Sequence, residues 1–333
     1  MEIVKRPHRT HFPAWAADKP KILVLSADLT SSCEADLFRN QHPQRFISMG
    51  MAEQNMMSWA GGLAREGFEP WIHTFAVFVC RRPFDQVAMS IGYPNLKVRL
   101  VGFLPGITTP GGVTHQAIDD IGLMRLIPNM CILVTGDATE VESVLDVAHT
   151  VNGPVYISML RGEVPRLFTS PLKLGQARIL STGKDLAIIS SGISTEEALR
   201  VQSCLKAKAV SVQHLHVSTI KPFTDPRIQD TIEQVRYGVI TIENHSIIGG
   251  LGSAVAEVMA TMGSSKRLIR LGIQDVYAHG ASRPYLMREL GLDAMALINA
   301  VESLLGQELN IEAQDLAAVR IDAVHSEAKA EAL

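Results

Sequence analysis

From residue 22 onward, short apolar runs alternate with segments of helical periodicity, and this alternation leaves few architectures open. Runs of four or five mostly apolar residues fall at 22–25, 70–74, 98–101, 131–134 and 155–158. Strands without a polar face belong in parallel sheets covered by helices on both sides. The pattern lapses over 163–184, where Pro165, Pro171, Gly175 and Gly183 punctuate the chain. It restarts with runs at 186–189, 210–217, 238–242 and 268–271. The expectation is therefore α/β: two parallel-sheet domains in tandem, at 21–162 and 185–306, with a linker at 163–184. An N-terminal segment (1–20) precedes them. The alanine- and charge-rich tail (307–333) reads as a weak helix or frayed end. Helix starts are expected at Thr139, with Glu142 completing a capping box, and at Ser194.

Composition excludes several function classes. Of 333 residues, 47% are hydrophobic and 20% charged, and the net charge of −3 offers no basic surface for nucleic acid. No apolar run approaches membrane-spanning length, and the first residues lack the apolar core of a signal peptide. Cys33, Cys80, Cys131 and Cys204 are scattered without a CxxC pair, the usage of reduced thiols in the cytoplasm. No histidine spacing suggests a metal site.

Within the first block, Glu53 opens a helix among Met56, Met57, Trp59 and alanines. A carboxyl there loses hydration, which raises its pKa and suits it to sharing a proton. A first-turn glutamate complementing the helix dipole is the alternative. Downstream come Thr74, Phe75, Phe78 and Arg81, then Asp85-Gln86, Tyr93-Pro94-Asn95, Thr114-His115-Gln116 and Ile127-Pro128-Asn129. In this order and spacing the chain resembles the C-terminal half of transketolase, and more closely the second subunit of the split transketolases, from about Lys21 to Leu305. The likeness extends to 1-deoxyxylulose-5-phosphate synthase and to the beta subunits of 2-oxo acid dehydrogenases. A subunit that kept the fold for regulation alone is a further alternative.

The resemblance implies a pyrimidine-binding domain followed by a transketolase C-terminal domain, with thiamine diphosphate as cofactor. Glu53 matches the glutamate that shares a proton with the aminopyrimidine ring. Phe75 and Phe78 match the aromatic pair packed against that ring, although two phenylalanines three residues apart are also ordinary helix core. Arg81 stands where the deoxyxylulose-phosphate enzyme faces the pyrimidine. His115 matches the histidine near the thiazolium and substrate, Arg161 the phosphate-binding arginine, and Ser32 a serine beside it. His245 is expected to make a structural hydrogen bond. The glycine-rich turn at 249–252 is expected to serve strand–helix packing rather than phosphate binding.

Two departures and one absence complete the picture. Split transketolases usually carry a histidine twelve residues before the THQ histidine and an acid four before it; here those places hold Phe103 and Gly111. The usual pentose phosphates are therefore not assumed, and Phe103 is expected to present an aromatic surface to an altered donor. The family's GDG motif does not occur, since Gly136-Asp137 is followed by Ala138. The resemblance then implies that Mg2+ and the diphosphate are held by a first subunit, in a heterotetramer of two plus two acting on sugar phosphates.

Overall fold

A computed structural model describes residues 2–317. Its strands, in chain order, are β1 (Ile3–Lys5), β2 (Ile22–Ser26), β3 (Phe46–Ser48), β4 (Glu69–Phe75), β5 (Arg99–Phe103), β6 (Cys131–Val134) and β7 (Val155–Met159). There follow β8 (Glu163–Pro165), β9 (Arg178–Ser181), β10 (Leu186–Ser190), β11 (Val212–His216), β12 (Thr219–Lys221), β13 (Gly238–Ser246) and β14 (Arg267–Ile273). One sheet has the order β12-β6-β7-β5-β4-β2-β3 and a second the order β14-β13-β10-β11-β9. Every pairing in them is parallel except those of β12 and β9, each an antiparallel edge strand. Strands β2, β4, β5, β6, β7 and β10 are buried along their whole length, which is why they read as unbroken runs. Among the described residues no helix is long and apolar enough to cross a membrane.

The segments between the expected domains are folded where the sequence suggested a linker. β1 pairs antiparallel with β8, and the helix Pro7–Trp15 buries Phe12 against Phe38 and Trp71. Residues 2–20 and 163–166 thus form one brace on the first domain. β9, also within 163–184, is the edge of the second sheet, and β12 crosses from the second half of the chain to close the edge of the first. Three- and four-residue edge strands give no periodic signal, which is why they escape detection. In the tail, Leu309, Ile311 and Leu316 are buried and a short helix spans Ala313–Ala317; residues 318–333 of that expectation lie outside the described residues.

Both expected helix caps are corrected. The helix Ala138–Thr150 is capped by Asp137, whose carboxylate accepts from Glu140 N at 2.8 Å. Thr139 instead donates to the Phe168 carbonyl, and Glu142 pairs with Arg166. Ser194 lies inside the helix Ser194–Ala207, which has no side-chain cap. Glu140 turns inward and becomes a hub between the domains. Its carboxylate accepts from Gly136 N (2.9 Å), His216 Nε2 (3.0 Å), Ser218 Oγ (2.6 Å) and Arg178 Nε (3.0 Å).

Candidate active site

In open parallel sheets, ligands bind beyond the carboxyl ends of the strands, and the candidate residues gather there. Ser32 follows β2, Phe75 ends β4, the loop after β5 carries His115, and Arg161 follows β7. These four strands are neighbours in the sheet. Glu53 is the first residue of the helix Glu53–Arg65, entered from β3.

Along that helix Glu53, Met56, Met57, Ala60 and Gly61 are buried, a stripe at helical spacing, and Glu53 is 4% exposed. Two details differ from the sequence expectation. Trp59 points outward, 52% exposed. The carboxylate is not surrounded by apolar groups alone, because Arg82 Nη1 donates to its Oε1 at 2.8 Å. The guanidinium of Arg82 also lies 4.1 Å from the centroid of the Phe78 ring.

Phe75 ends the strand and Phe78 lies one turn into the helix Ala76–Cys80, so the chain's change of direction stacks them at 5.8 Å and 27°. His115, half-buried, stands edge-on to both rings, at 6.0 and 5.6 Å. Its Nδ1 is 2.9 Å from the Thr114 hydroxyl. Arg161 reaches over Phe75 at 5.7 Å and donates to the Ser32 carbonyl at 2.7 Å. Beside them, burial drives the Cys33 thiol far up in pKa, leaving it inert at neutral pH.

Arg81 does not join this group. It forms a two-pronged pair with Asp119, at 2.9 and 3.0 Å, and donates to the Gln116 carbonyl at 3.2 Å. Of the two adjacent arginines it is Arg82 that faces the aromatic pair, four residues after Phe78 and hence on the same side of the turn. Phe103 is also relocated. It is fully buried, with His8 edge-on at 5.4 Å and His73 at 5.9 Å, so it presents no aromatic surface to a substrate. His8 and His73 share a 2.9 Å contact between their Nε2 atoms, and burial, the leading cause, lowers the pKa of both, that of His73 to about 4.

Glu34, which the sequence did not single out, is buried behind Arg161. Its carboxylate accepts from Gly162 N at 2.9 Å and Arg9 N at 3.1 Å, fixing the backbone after Arg161 to the N-terminal brace. Burial, the leading cause, raises its pKa. In the second domain, Glu243 accepts from Leu251 N and Gly252 N at the start of the helix Leu251–Met262. The position a phosphate would take at that glycine-rich turn is filled by the protein's own carboxylate. His245 Nε2 accepts from Gly122 N at 3.2 Å, so its role there is a structural bond between domains.

Comparison with known families places the transketolase pyrimidine binding domain on residues 9–166 and the transketolase C-terminal domain on residues 175–297. A putative transketolase family protein of Sinorhizobium fredii is 37% identical over 300 residues, covering 88% of this chain and 86% of its own. The chain belongs to the transketolase family. A 6-deoxy-6-sulfo-D-fructose transketolase subunit of a Clostridium species is 35% identical, covering 86% of this chain and 89% of its own. A solved structure described as a split gene transketolase, an inactive beta4 tetramer, superimposes with a TM-score of 0.81 at 34% identity, covering 91% of this chain and 97% of its own.

Transketolase chemistry depends on thiamine diphosphate, and the residues present fit its aminopyrimidine end. A buried carboxyl (Glu53) and a stacked aromatic pair (Phe75, Phe78), both touched by Arg82, lie beyond the carboxyl ends of the first sheet's strands. Two of its relatives are named as subunits of transketolases, the sulfofructose enzyme above and an apulose-4-phosphate transketolase.

Proposed function

We propose that this chain supplies the pyrimidine-binding half of a two-subunit transketolase that moves a two-carbon ketol unit from a ketose to an aldose. The observation that carries the proposal is the gathering of Glu53, Phe75, Phe78, His115 and Arg161 beyond the carboxyl ends of the first sheet's strands, in a sequence without the GDG motif. The partner subunit would hold Mg2+ and the diphosphate, in a complex of two plus two. Thiamine diphosphate, when bound, supplies the carbon nucleophile for cleaving and re-forming the sugar's carbon–carbon bond. Glu53 would hold a proton at the aminopyrimidine nitrogen, and the half-buried Phe78, with Phe75 behind it, would orient the ring. Because Arg82 lies on Phe78 and bonds Glu53, it must move aside for the ring to seat. His115 would move a proton at the sugar's hydroxyl or carbonyl oxygen, and Arg161 with Ser32 would hold the anionic end. Free cysteines throughout the described chain support a reducing compartment, the cytoplasm.

Gly111 and the buried Phe103 remove two polar contacts expected for a pentose phosphate. This favours a donor with an altered skeleton or a different terminal anion, as the name of the sulfofructose relative also suggests. The test is subunit mixing. The purified chain alone should turn over no ketose, and adding a GDG-bearing partner should restore turnover across a donor panel; robust activity of the single chain would sink the proposal.

A further inference from the structure

The loop that carries His115 leaves β5 at Leu104 and ends at the helix Asp120–Arg125, and the C-terminal domain grips it near both ends. Asn244, on β13, reaches across with its side-chain amide. Nδ2 donates to the Pro105 carbonyl and Oδ1 accepts from Ile107 N, each at 3.0 Å. These are the two bonds that a neighbouring strand's peptide would make. Gly106, between them, has φ +59°, and a Cβ built there would stand 2.3 Å from the carbonyl and Oδ1 of Asn244, so only glycine allows the approach. At the far end Ser246 N donates to the Ile118 carbonyl at 2.7 Å, and Gln116 Nε2 to the His279 carbonyl at 3.3 Å. From the opposite side Arg81 holds Asp119 and the Gln116 carbonyl.

We infer that Asn244 is a positioning residue for the transfer reaction: the C-terminal domain, through this amide, sets the place of His115 against the Phe75–Phe78 pair. The inference rests on the proposed role of His115 and deepens it. Among the described residues His115 makes one short polar side-chain contact, to its neighbour Thr114, so the backbone on either side of it decides where its ring stands. Asn244 acts on that backbone, through Pro105 and Ile107.

Hydrogen exchange on the full chain tests the clamp without substrate or partner. Asn244→Ala should speed exchange of the Ile107 amide and of the amides through Gln116 at least tenfold, with protection of β10 and β11 unchanged. Asn244→Asp, which keeps the acceptor and the size, should retain most of the protection at Ile107. Unaltered exchange in the alanine variant overturns the inference. In the enzyme co-purified with its GDG-bearing partner, Asn244→Ala should lower kcat about ten- to a hundredfold while leaving KM within threefold. The double variant Asn244→Ala/His115→Ala should then be no slower than His115→Ala alone. Losses that multiply instead would make Asn244 merely structural and overturn the assignment. A His115→Ala enzyme of full rate would remove the proposed role of His115, and with it the catalytic purpose of the clamp.

Discussion

Replacing Glu140 with glutamine tests how firmly the two domains are joined. Glu140 is fully buried and its carboxylate receives four donors, three of them (His216, Ser218 and Arg178) from the second half of the chain. Burial alone would push this carboxyl up, but His216, Ser218 and Arg178 outweigh it and hold the pKa at about 2 instead of 4.5. At about 1.4 kcal/mol per pH unit, that gap is worth roughly 3 kcal/mol at neutral pH. Removing one member of a buried ion pair gives a similar figure, about 3–5 kcal/mol, and the slight exposure of Arg178 favours the lower end. For a chain of 333 residues Glu140→Gln should lower Tm by on the order of 4–5 °C. A depressed folded pKa stabilises fully above the unfolded value and is lost as pH falls through the folded one. The wild-type advantage should therefore be constant above about pH 5.5 and shrink steadily from there toward pH 2. Calorimetry of both proteins across that range measures it. A variant within 2 °C of wild type at pH 7, or a gap indifferent to acid, would refute the electrostatic account of the joint.

In the reconstituted enzyme, Glu53→Gln should slow deuterium exchange at the cofactor's thiazolium carbon by roughly two orders of magnitude; an unchanged rate would return Glu53 to a helix-dipole role. Arg82→Ala should alter stability by less than about 1 kcal/mol, since the Arg82 side chain is half exposed and its charge is largely solvated in the pair with the buried Glu53. The same change should tighten thiamine diphosphate binding several-fold by clearing Phe78, and weaker binding in titration calorimetry would show that Arg82 belongs to the cofactor grip. Gly111 has no left-handed backbone, but a Cβ there would stand 3.1 Å from both Cβ and Cγ of His115. Gly111→Asp should therefore disturb His115 and lower kcat about tenfold, a factor worth about 1.4 kcal/mol of barrier; increased turnover of a pentose phosphate would show the reverse.

Legibility followed burial. Cys131–Val134 stands where the sequence placed it because each residue in it is apolar and covered. β8, β9 and β12 were invisible because an edge strand of three or four residues needs no pattern beyond what its neighbour's backbone supplies. Glu53 and the buried stripe behind it were readable from spacing, since 53, 56, 57 and 60 fall on one helical face. The choice between Arg81 and Arg82 was also open to a spacing argument: Phe78 and Arg82 are four apart, so Arg82 shares the aromatic face and Arg81 turns toward Asp119. Asn244 lies far along the chain from the loop it holds, and no local pattern announces a contact of that range. Phe103 looked like a substrate contact because the resemblance placed a polar residue there; its burial depends on His8, in a segment whose packing no periodicity revealed.

The exchange of β12 bears on how such proteins can be taken apart. Thr219 pairs with Leu133 and Lys221 with Ile132, and Lys221 also donates to the carbonyls of Arg125 and Ile127. A fragment ending near residue 175 would leave β6 with a bare row of backbone donors and acceptors, a template for pairing with any passing chain. Its missing piece would be stranded on the other fragment. Grafting a C-terminal domain from a relative would likewise import an edge strand matched to someone else's sheet. The boundary between the two domains is thus a splice through a shared sheet, and recombination at the linker carries a penalty that the domain count alone does not reveal.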